Sequence, residues 1–405
     1  MGDPRLMVEK LPSVSIIIPT LNCAKTIGST LQSLLSLNYP KDLYEVIIVD
    51  GGSTDDTLTE ATKYWVKVLA EKGASANRAR NLGVSASKGE VLVFTDGDCK
   101  IPSDWLVKII HNLENGFDCV GGRVKAANLH SFLPRYLDSS FFNPFPTFSK
   151  FSIINDLKPF NYLATCNMAI KRQAFLGVRG FDEGFRGGYD DHEFLARVLK
   201  AGYKAAYDPR IVVYHYHRER LGDALNQVYW YGKGLARFTF KHPKLKLVNM
   251  LLLGVTALIA WLTFTLTSLI YFLLTGVNLY LYISLLMITM GYASLTAGYI
   301  LKTRGVITAL TYPILDLLRS IAFTIGAIKG FFEAISISNF KSVKHTGQIP
   351  SYKITNHRVV VSLAGSTHIN KGYVTTPLFS SEAFIKSFVR PQGLNHAIGL
   401  LPSTV

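Results

Sequence analysis

From residue 247 to residue 301 the chain carries no charged side chain, a run bounded by Lys246 and Lys302. One membrane crossing needs roughly 20 apolar residues, so this run is long enough for two. A turn near Gly276-Val277-Asn278 would divide it into spans of about 247–274 and 278–301. A buried soluble pair of helices is the competing reading, and so long a stretch without charge disfavours it. Lys233, Arg237, Lys241, Lys244 and Lys246 precede the run, and Lys302 and Arg304 follow it. Basic flanks on both sides put both ends in the cytosol, as a hairpin requires. The expectation is a multi-pass protein of the cell membrane with residues 1–240 as a cytosolic domain, 241–335 as the membrane region and 336–405 as a tail.

The net charge of +15 suits an anionic partner, either membrane lipids or phosphates. The basic residues form no stripe interleaved with aromatics, so nucleic acid is not expected as a partner. Cys23, Cys99, Cys119 and Cys166 include no CxxC pair. Zinc and redox motifs are thus unsupported, and the four read as free thiols in a reducing compartment. Met1 to Lys10 is charged and lacks an apolar core, so no signal peptide is expected. Met1-Gly2 opens like a myristoylation signal, but Leu6 stands where Ser or Thr is needed.

The segment 306–328 is apolar yet holds Pro313, Asp316 and Arg319, with Lys329 just beyond. Asp316 and Arg319 have the spacing for an i, i+3 pair on a helix. The segment either spans the membrane or lies at the interface with its charges toward headgroups. Beyond it, Lys341, Lys344, Lys353, Arg358, Lys371, Lys386 and Arg390 face a single acid, Glu382. That excess favours a cytosolic tail and an interfacial third segment. Val359–Leu363 reads as a short strand; the tail's role is not readable.

From Leu11 to about Phe240 apolar runs of strand length alternate with helical stretches such as Thr26–Leu37, Thr57–Ala70 and Trp105–Leu113, an α/β pattern. Ser53-Thr54-Asp55 supplies N-cap chemistry for the second of those helices. Residues 128–162 are less regular and carry Phe132, Tyr136, Phe141, Phe142, Phe145, Phe148, Phe151 and Phe160. Either these aromatics pack into the core, or they form an acceptor-side or membrane-facing segment.

Three buried-strand runs end in polar groups. Ile16-Ile17-Ile18 leads to Pro19-Thr20, Val46-Ile47-Ile48-Val49 to Asp50, and Val91-Leu92-Val93-Phe94 to Asp96-Gly97-Asp98. In open α/β sheets ligands bind beyond the carboxyl ends of strands. Two carboxylates one residue apart at such an end can hold a hard divalent cation and the phosphates it carries. Asp50-Gly51-Gly52-Ser53 lets a backbone approach a ligand and offers Asp50 as an acceptor, although an ordinary turn and cap would look the same. It is not GxGxxG, which disfavours a dinucleotide site. Arg78 and Arg80 offer a grip for a diphosphate, or else a solvated face. Asp190, Asp191, His192 and Glu193 precede a helical run, Phe194–Ala201. One carboxylate there could be a general base, or the acids simply favour a helix N-terminus. After the strand run Ile211–Tyr214, His215 could complete a metal shell and Arg218 could hold a phosphate.

In their order these marks resemble a family 2 inverting glycosyltransferase over residues 13–240. The matching segments are Val14-Ser15-Ile16-Ile17-Ile18-Pro19-Thr20-Leu21-Asn22, Val49-Asp50-Gly51-Gly52-Ser53-Thr54-Asp55 and Ala79-Arg80-Asn81-Leu82-Gly83. Phe94-Thr95-Asp96-Gly97-Asp98, Asn167-Met168-Ala169-Ile170, Gly180-Phe181-Asp182-Glu183, the Asp190-Asp191 pair and His215 follow. The resemblance implies an A-type nucleotide-sugar fold, Rossmann-like with a mixed, mostly parallel sheet, followed here by transmembrane helices. It implies that Asp50 contacts the nucleobase, Asp96 the ribose side, and Asp98 a Mg²⁺ or Mn²⁺ with the diphosphate. Asp191 would be the catalytic base. Pro19, Thr20, Asn22, Ser53, Arg80, Asp190 and Arg218 would complete the substrate site, and His215 the metal site. A UDP-sugar is the favoured donor, with a GDP-sugar possible.

Two departures narrow the reading. The family usually has Glu-Asp where this chain has Asp190-Asp191. The Gln-x-x-Arg-Trp motif of processive synthases is replaced by Gln227-Val228-Tyr229-Trp230-Tyr231. The run to Arg237 and the membrane segments after it resemble enzymes that extend lipid-linked saccharides for exopolysaccharide or protein glycosylation. A sugar hydroxyl needs a base, whereas a lipid monophosphate is already ionised, so Asp191 favours a polyprenyl-linked saccharide as acceptor. Charging of a polyprenyl phosphate, and a catalytically inactive membrane scaffold, are the alternatives.

Overall fold

The computed structural model describes residues 11–145, 148–157, 162–185 and 187–338, and the strand Arg358–Val361. The expectations for Met1–Lys10, for Phe160, and for the tail's basic residues and Leu363 lie outside the described residues, save that strand.

The chain opens with β1 (Val14–Thr20), α1 (Ala24–Leu35), β2 (Tyr44–Asp50), α2 (Thr57–Ala61), β3 (Lys67–Ala70), α3 (Ala76–Ser85) and β4 (Val91–Phe94). It continues through β5 (Cys99–Lys100), α4 (Trp105–Glu114), β6 (Cys119–Ala126), α5 (Phe132–Ser139), β7 (Ser152–Ile154), β8 (Met168–Lys171) and α6 (Arg172–Gly177). Then come α7 (Asp190–Lys200), β9 (Ala205–His215), α8 (Leu221–Lys241), α9 (Lys246–Thr275), α10 (Leu279–Thr303), α11 (Val306–Ser338) and β10 (Arg358–Val361). All strands join one mixed sheet in the order β10-β3-β2-β1-β4-β8-β6-β9-β5, with β7 on β9.

The apolar runs of β1, β2 and β4 are buried because helices cover them, which is why they are near-continuous in Ile and Val. β1 lies parallel to both neighbours, with Thr20 opposite Asp50 and Ile17 opposite Phe94. Asp96 and Asp98 therefore leave the sheet at the same edge as Thr20 and Asp50. β8 is antiparallel to β4 and β6. The short β5 pairs antiparallel with the end of β9, and Cys99 faces His215 across that pairing. This register brings His215 beside Asp98.

The helix expected over Thr57–Ala70 is a correction. It stops at Ala61, and Lys67–Ala70 becomes a strand parallel to β2. Val68 and Leu69 are buried there, so sheet pairing overrides the helical reading of the same apolar residues. Asp55 does act near the helix start, accepting the Thr57 N–H at 3.1 Å.

The turn near Gly276-Val277-Asn278 is present. Gly276 closes α9 with φ +72°, the left-handed conformation that glycine adopts at low cost. The helices Lys246–Thr275, Leu279–Thr303 and Val306–Ile335 are long and apolar enough to cross a membrane. The third is also packed along the α/β domain. A Cβ at Gly232 of α8 would overlap the Phe323 carbonyl of α11, and one at Gly326 of α11 would overlap the Tyr229 carbonyl of α8. The two backbones therefore touch, as small residues permit. Lys233 and Glu333 form an ion pair at 2.9 Å across the same contact.

Asp316 and Arg319 do not pair directly. Asp316 accepts hydroxyls from Tyr136 and Ser140, each at 2.7 Å, and from Tyr299. Arg319 donates to Tyr136 (3.3 Å), Ser140 (3.2 Å) and the Phe142 carbonyl (3.4 Å). Both are buried rather than directed outward: hydroxyls of α5, Ser140 and α10 answer Asp316, while Arg319 meets oxygens of α5 and the segment after it through its two terminal nitrogens alone. The aromatic stretch therefore packs both into the core and against the apolar helices. Tyr136 is fully buried, while the half-exposed Phe132 meets Tyr312 edge-on and Phe141 packs at a tilt on Tyr299 of the apolar helices.

Candidate active site

The strand ends open onto a cavity of about 1550 Å³. Pro19, Thr20, Asn22, Arg80, Asp96, Asp98, Asp190, Asp191, His215 and Arg218 all line it. Asp50 and Ser53 do not. Asp50 is buried and holds its own turn, with one oxygen accepting from Gly52 N (2.9 Å) and Ser53 N (2.8 Å) and the other from Ser53 Oγ (2.5 Å). Ser53 Oγ in turn accepts Asn22 N at 2.8 Å, and Asn22 Oδ1 accepts Thr54 N at 2.8 Å. These residues tie the β1 and β2 loops together, so their shared work is to shape the floor.

Arg80 is not a solvated cation. α3 turns it inward, where Nη2 lies 3.2 Å from Asp96 and Nη1 lies 3.3 Å from Asp190. Burial alone would lower its pKa, but the charges of Asp96 and Asp190 raise it and keep it ionised. Burial pushes the Asp96 carboxyl up, against the pull of Arg80. Asp190 is pushed up to about 6 by burial and by the charge of Asp191, again against Arg80. One guanidinium thus links the strand β4 end to the start of α7. The rest of the α3 motif is a clamp: Asn81 pairs with both the N–H and the carbonyl of Phe181, each at 2.9 Å.

Asp98 Oδ1 is buried without a hydrogen-bond partner and lies 3.3 Å from His215 Nε2. A carboxylate oxygen and an imidazole nitrogen in such proximity fit a divalent cation. Cys99 completes a group of three possible donors. Its thiol hydrogen-bonds Cys166 instead, and burial pushes its pKa up, so it stays protonated and suits a hard ion poorly. Phe145 packs on His215 at 5.5 Å between centroids. Arg218 is half-exposed, 4.0 Å from Asp98.

Asp191 sits at the start of α7, after Gly187, Gly188 and Tyr189, all at positive φ. Tyr189 in the left-handed region is a strained choice, held by α8 beneath it: Gly234 meets the Gly187 and Gly188 carbonyls so closely that no Cβ would fit. Asp191 Oδ1 lies 3.1 Å from His192 Nδ1, and the His192 ring stacks on Tyr162 at 3.9 Å. Sequence reasoning gave His192 and Tyr162 no role. His192 adjoins the acid pair, which was a usable signal, while nothing in the local sequence marks Tyr162. Behind them Glu193 is fully buried against Arg197 and Lys241.

The cavity continues past the acids to the apolar helices. Leu247, Leu251 and Leu258 of α9 and Arg319, Phe323 and Thr324 of α11 line its far end.

Residues 15–177 match the model of glycosyl transferase family 2, and residues 150–219 match that of the N-terminal domain of galactosyltransferase. Glycosyltransferase AglE of Haloferax volcanii is 29% identical over 237 residues, covering 56% of this chain and 74% of its own length. A pre-mycofactocin glycosyltransferase of Mycobacterium tuberculosis is 27% identical over 290 residues, covering 65% of this chain; the chain spans 56% of that protein. Among solved structures, the mannosyltransferase PcManGT of Pyrobaculum calidifontis, in complex with GDP-Man and Mn²⁺, superposes with a TM-score of 0.51 at 18% identity. The superposition covers 80% of this chain and 88% of that one, a likeness of fold.

Proposed function

We propose that this chain, which carries a glycosyltransferase family 2 domain and is therefore a transferase enzyme, moves a sugar from a nucleotide-sugar donor to a hydroxyl of a polyprenyl-linked saccharide at the membrane surface. The observation that carries this reading is the single cavity reaching from Asp98 and Asp191 to α9 and α11. A donor that is water-soluble and an acceptor that is held in lipid would meet in such a space. The family resemblance adds an inverting outcome and an A-type donor site.

In this reading the nucleoside lies over the floor built by Asp50, Ser53 and Asn22, beside Pro19 and Thr20. Asp96 faces its ribose side. Asp98 and His215 would hold a Mg²⁺ or Mn²⁺, which supplies positive charge to the diphosphate leaving group. Arg218, half-exposed at the same edge, offers a second cation to the phosphates. Arg80 acts at one remove, holding Asp96 and Asp190 in place. Asp191 accepts the proton of the acceptor hydroxyl as its oxygen attacks the anomeric carbon from the face opposite the leaving group. The carbon–oxygen bond to the nucleotide breaks in the same displacement, which inverts that centre. The contact with His192 fixes the Asp191 carboxylate for this role.

The domain division follows: residues 1–240 catalytic on the cytosolic side, α9 and α10 a membrane hairpin, and α11 interfacial along α8. The packing of α11 on both α5 and α8 supports the interfacial placement.

The test is nucleoside-diphosphate release by purified protein with Mn²⁺ or Mg²⁺ across a panel of UDP- and GDP-sugars. Each donor is tried with no lipid, with polyprenyl phosphate and with a lipid-diphosphate saccharide. Release that requires the saccharide lipid and disappears in Asp191→Asn supports the proposal. Release with polyprenyl phosphate alone assigns a carrier-charging enzyme, and no turnover across the panel sinks both.

A further inference from the structure

Arg319 has no place in the transfer chemistry just described. It lies about 20 Å along α11 from the helix start, at 1.5 Å per residue. It is 5% exposed and lines the cavity. Among the described residues no carboxylate lies within ion-pair distance of it. Asp316, one turn away, uses its oxygens on the hydroxyls of Tyr136, Ser140 and Tyr299. The neutral oxygens that Arg319 reaches are all at 3.2 Å or more, and its Nε is buried with no partner at all. A guanidinium so placed is a cation prepared for an anion, and its planar fork matches a phosphate. The walls near it carry a run of apolar side chains, Leu251 and Leu258 with the open position at Gly254 from α9 and Leu317 and Phe323 from α11, with Ser320 and Thr324 between them.

We propose that the far end of the cavity binds a long-chain prenyl phosphate, with Arg319 on the phosphate and the hydrocarbon chain running between α9 and α11. The inference rests on the lipid-linked acceptor proposed above and names the residue and path that would hold it. The apolar walls favour a lipid over free phosphate, since a soluble anion would gain nothing from them. With α11 interfacial as proposed above, Arg319 would stand where a phosphate headgroup meets its chain. The sugars of the acceptor would then extend along the cavity toward Asp191.

Equilibrium binding by the full-length protein in detergent tests this without requiring turnover. The probes are polyprenyl phosphate, the neutral polyprenol and inorganic phosphate. Arg319→Gln is expected to weaken polyprenyl phosphate binding by about tenfold or more, the scale of a lost charge-assisted hydrogen bond, with Arg319→Lys intermediate. Polyprenol and nucleotide binding should stay as in the wild type. Equal weakening toward polyprenol would mean that Arg319 only holds α5 to α11, and Arg319-dependent binding of inorganic phosphate as tight as that of the lipid would remove the chain from the site; either result overturns the proposal. Gly254→Phe tests the path separately, because a side chain there meets open space and leaves the Arg319 contacts alone. It should reduce polyprenyl phosphate and polyprenol binding alike, and unchanged affinity would overturn the assigned path. If Arg319-dependent binding holds while no saccharide lipid accepts sugar, the transfer reading fails and this site stands.

Discussion

Arg80 Nη1 lies 3.3 Å from Asp190 Oδ2, joining α3 to the first residue of α7 from inside the protein. The same guanidinium reaches Asp96 at 3.2 Å, so one buried cation fixes a donor-side acid and the neighbour of the proposed base. Removing it leaves two carboxylates without their partner. Arg80→Gln is expected to cost about 3–5 kcal/mol of stability, the usual result of breaking a buried pair from one side. Transferase activity should fall at least as far as in Asp191→Asn. Arg80→Lys keeps the charge but cannot span both acids, so it should recover stability more than activity. Denaturant titration alongside steady-state kinetics checks this; a wild-type rate in Arg80→Gln would be incompatible with the assigned role.

The raised Asp190 gives a pH dependence with a definite sign. Its carboxyl is pushed up to about 6, so Asp190 is neutral below that pH and its attraction for Arg80 is weakened. Activity should therefore fall on the acid side with an apparent pKa near 6, and Asp190→Asn should flatten that limb. For stability the folded pKa lies above the unfolded one. The contribution of this group is complete below the ordinary Asp value of about 3.9 and is lost as pH rises through about 6. Asp190→Asn should accordingly be no less stable than the wild type at pH 8. A clear loss of stability at that pH would contradict the buried, burdened state of the carboxylate.

Glu193 behaves in the opposite sense. Burial would push its pKa up, but the nearby His242 imidazole at 3.7 Å, the hydrogen bonds from Arg197 and the charge of Lys241 hold it well below the usual carboxylate range. Its contribution is complete above the ordinary Glu value of about 4.3 and is lost as pH falls toward the folded value. Glu193→Gln should lose about 3–5 kcal/mol at pH 7, because it leaves Arg197 without its carboxylate and Lys241 with Asp182 alone. The gap from wild type should narrow on acidification. Thermal melts at pH 7 and stepped down from pH 4 to pH 2.5 read both effects.

The metal site is open to a direct titration. Chelation is expected to abolish nucleoside-diphosphate release, with activity restored by Mn²⁺ or Mg²⁺. His215→Ala should raise the metal concentration for half-maximal rate by about tenfold or more, the scale seen even for partners outside the ligand shell. Asp98→Asn should not be rescued at any concentration. Full activity of Asp98→Asn in the presence of chelator would exclude the cation from the reaction.

Which parts of this were readable in advance depends on the kind of signal. Ile16–Ile18, Val46–Val49 and Val91–Phe94 were legible as strands because buried parallel strands are apolar on both faces. Lys67–Ala70 was not, because a short apolar run next to a helix fits either period and only pairing with β2 decides it. Asp96, Asp98 and Asp191 could be named as candidates from their positions at element ends. Asp50 and Ser53 could be named too, yet their place beneath the cavity depends on hydrogen bonds between two loops that no spacing encodes.

The sequence by itself determined the alternation of strands and helices, the edge at which the acids emerge, and an uncharged helical pair long enough for a membrane hairpin. These follow from local composition and periodicity, which act over a few residues at a time. Only the tertiary structure decided that Arg80 faces inward between two acids, that His215 meets Asp98, and that Arg319 turns into the cavity beside α5. Each of those depends on strand register or on which face of a helix finds a partner. That is settled by packing among segments distant in the chain, where burying a polar group is tolerable only if another segment brings the atom that answers it.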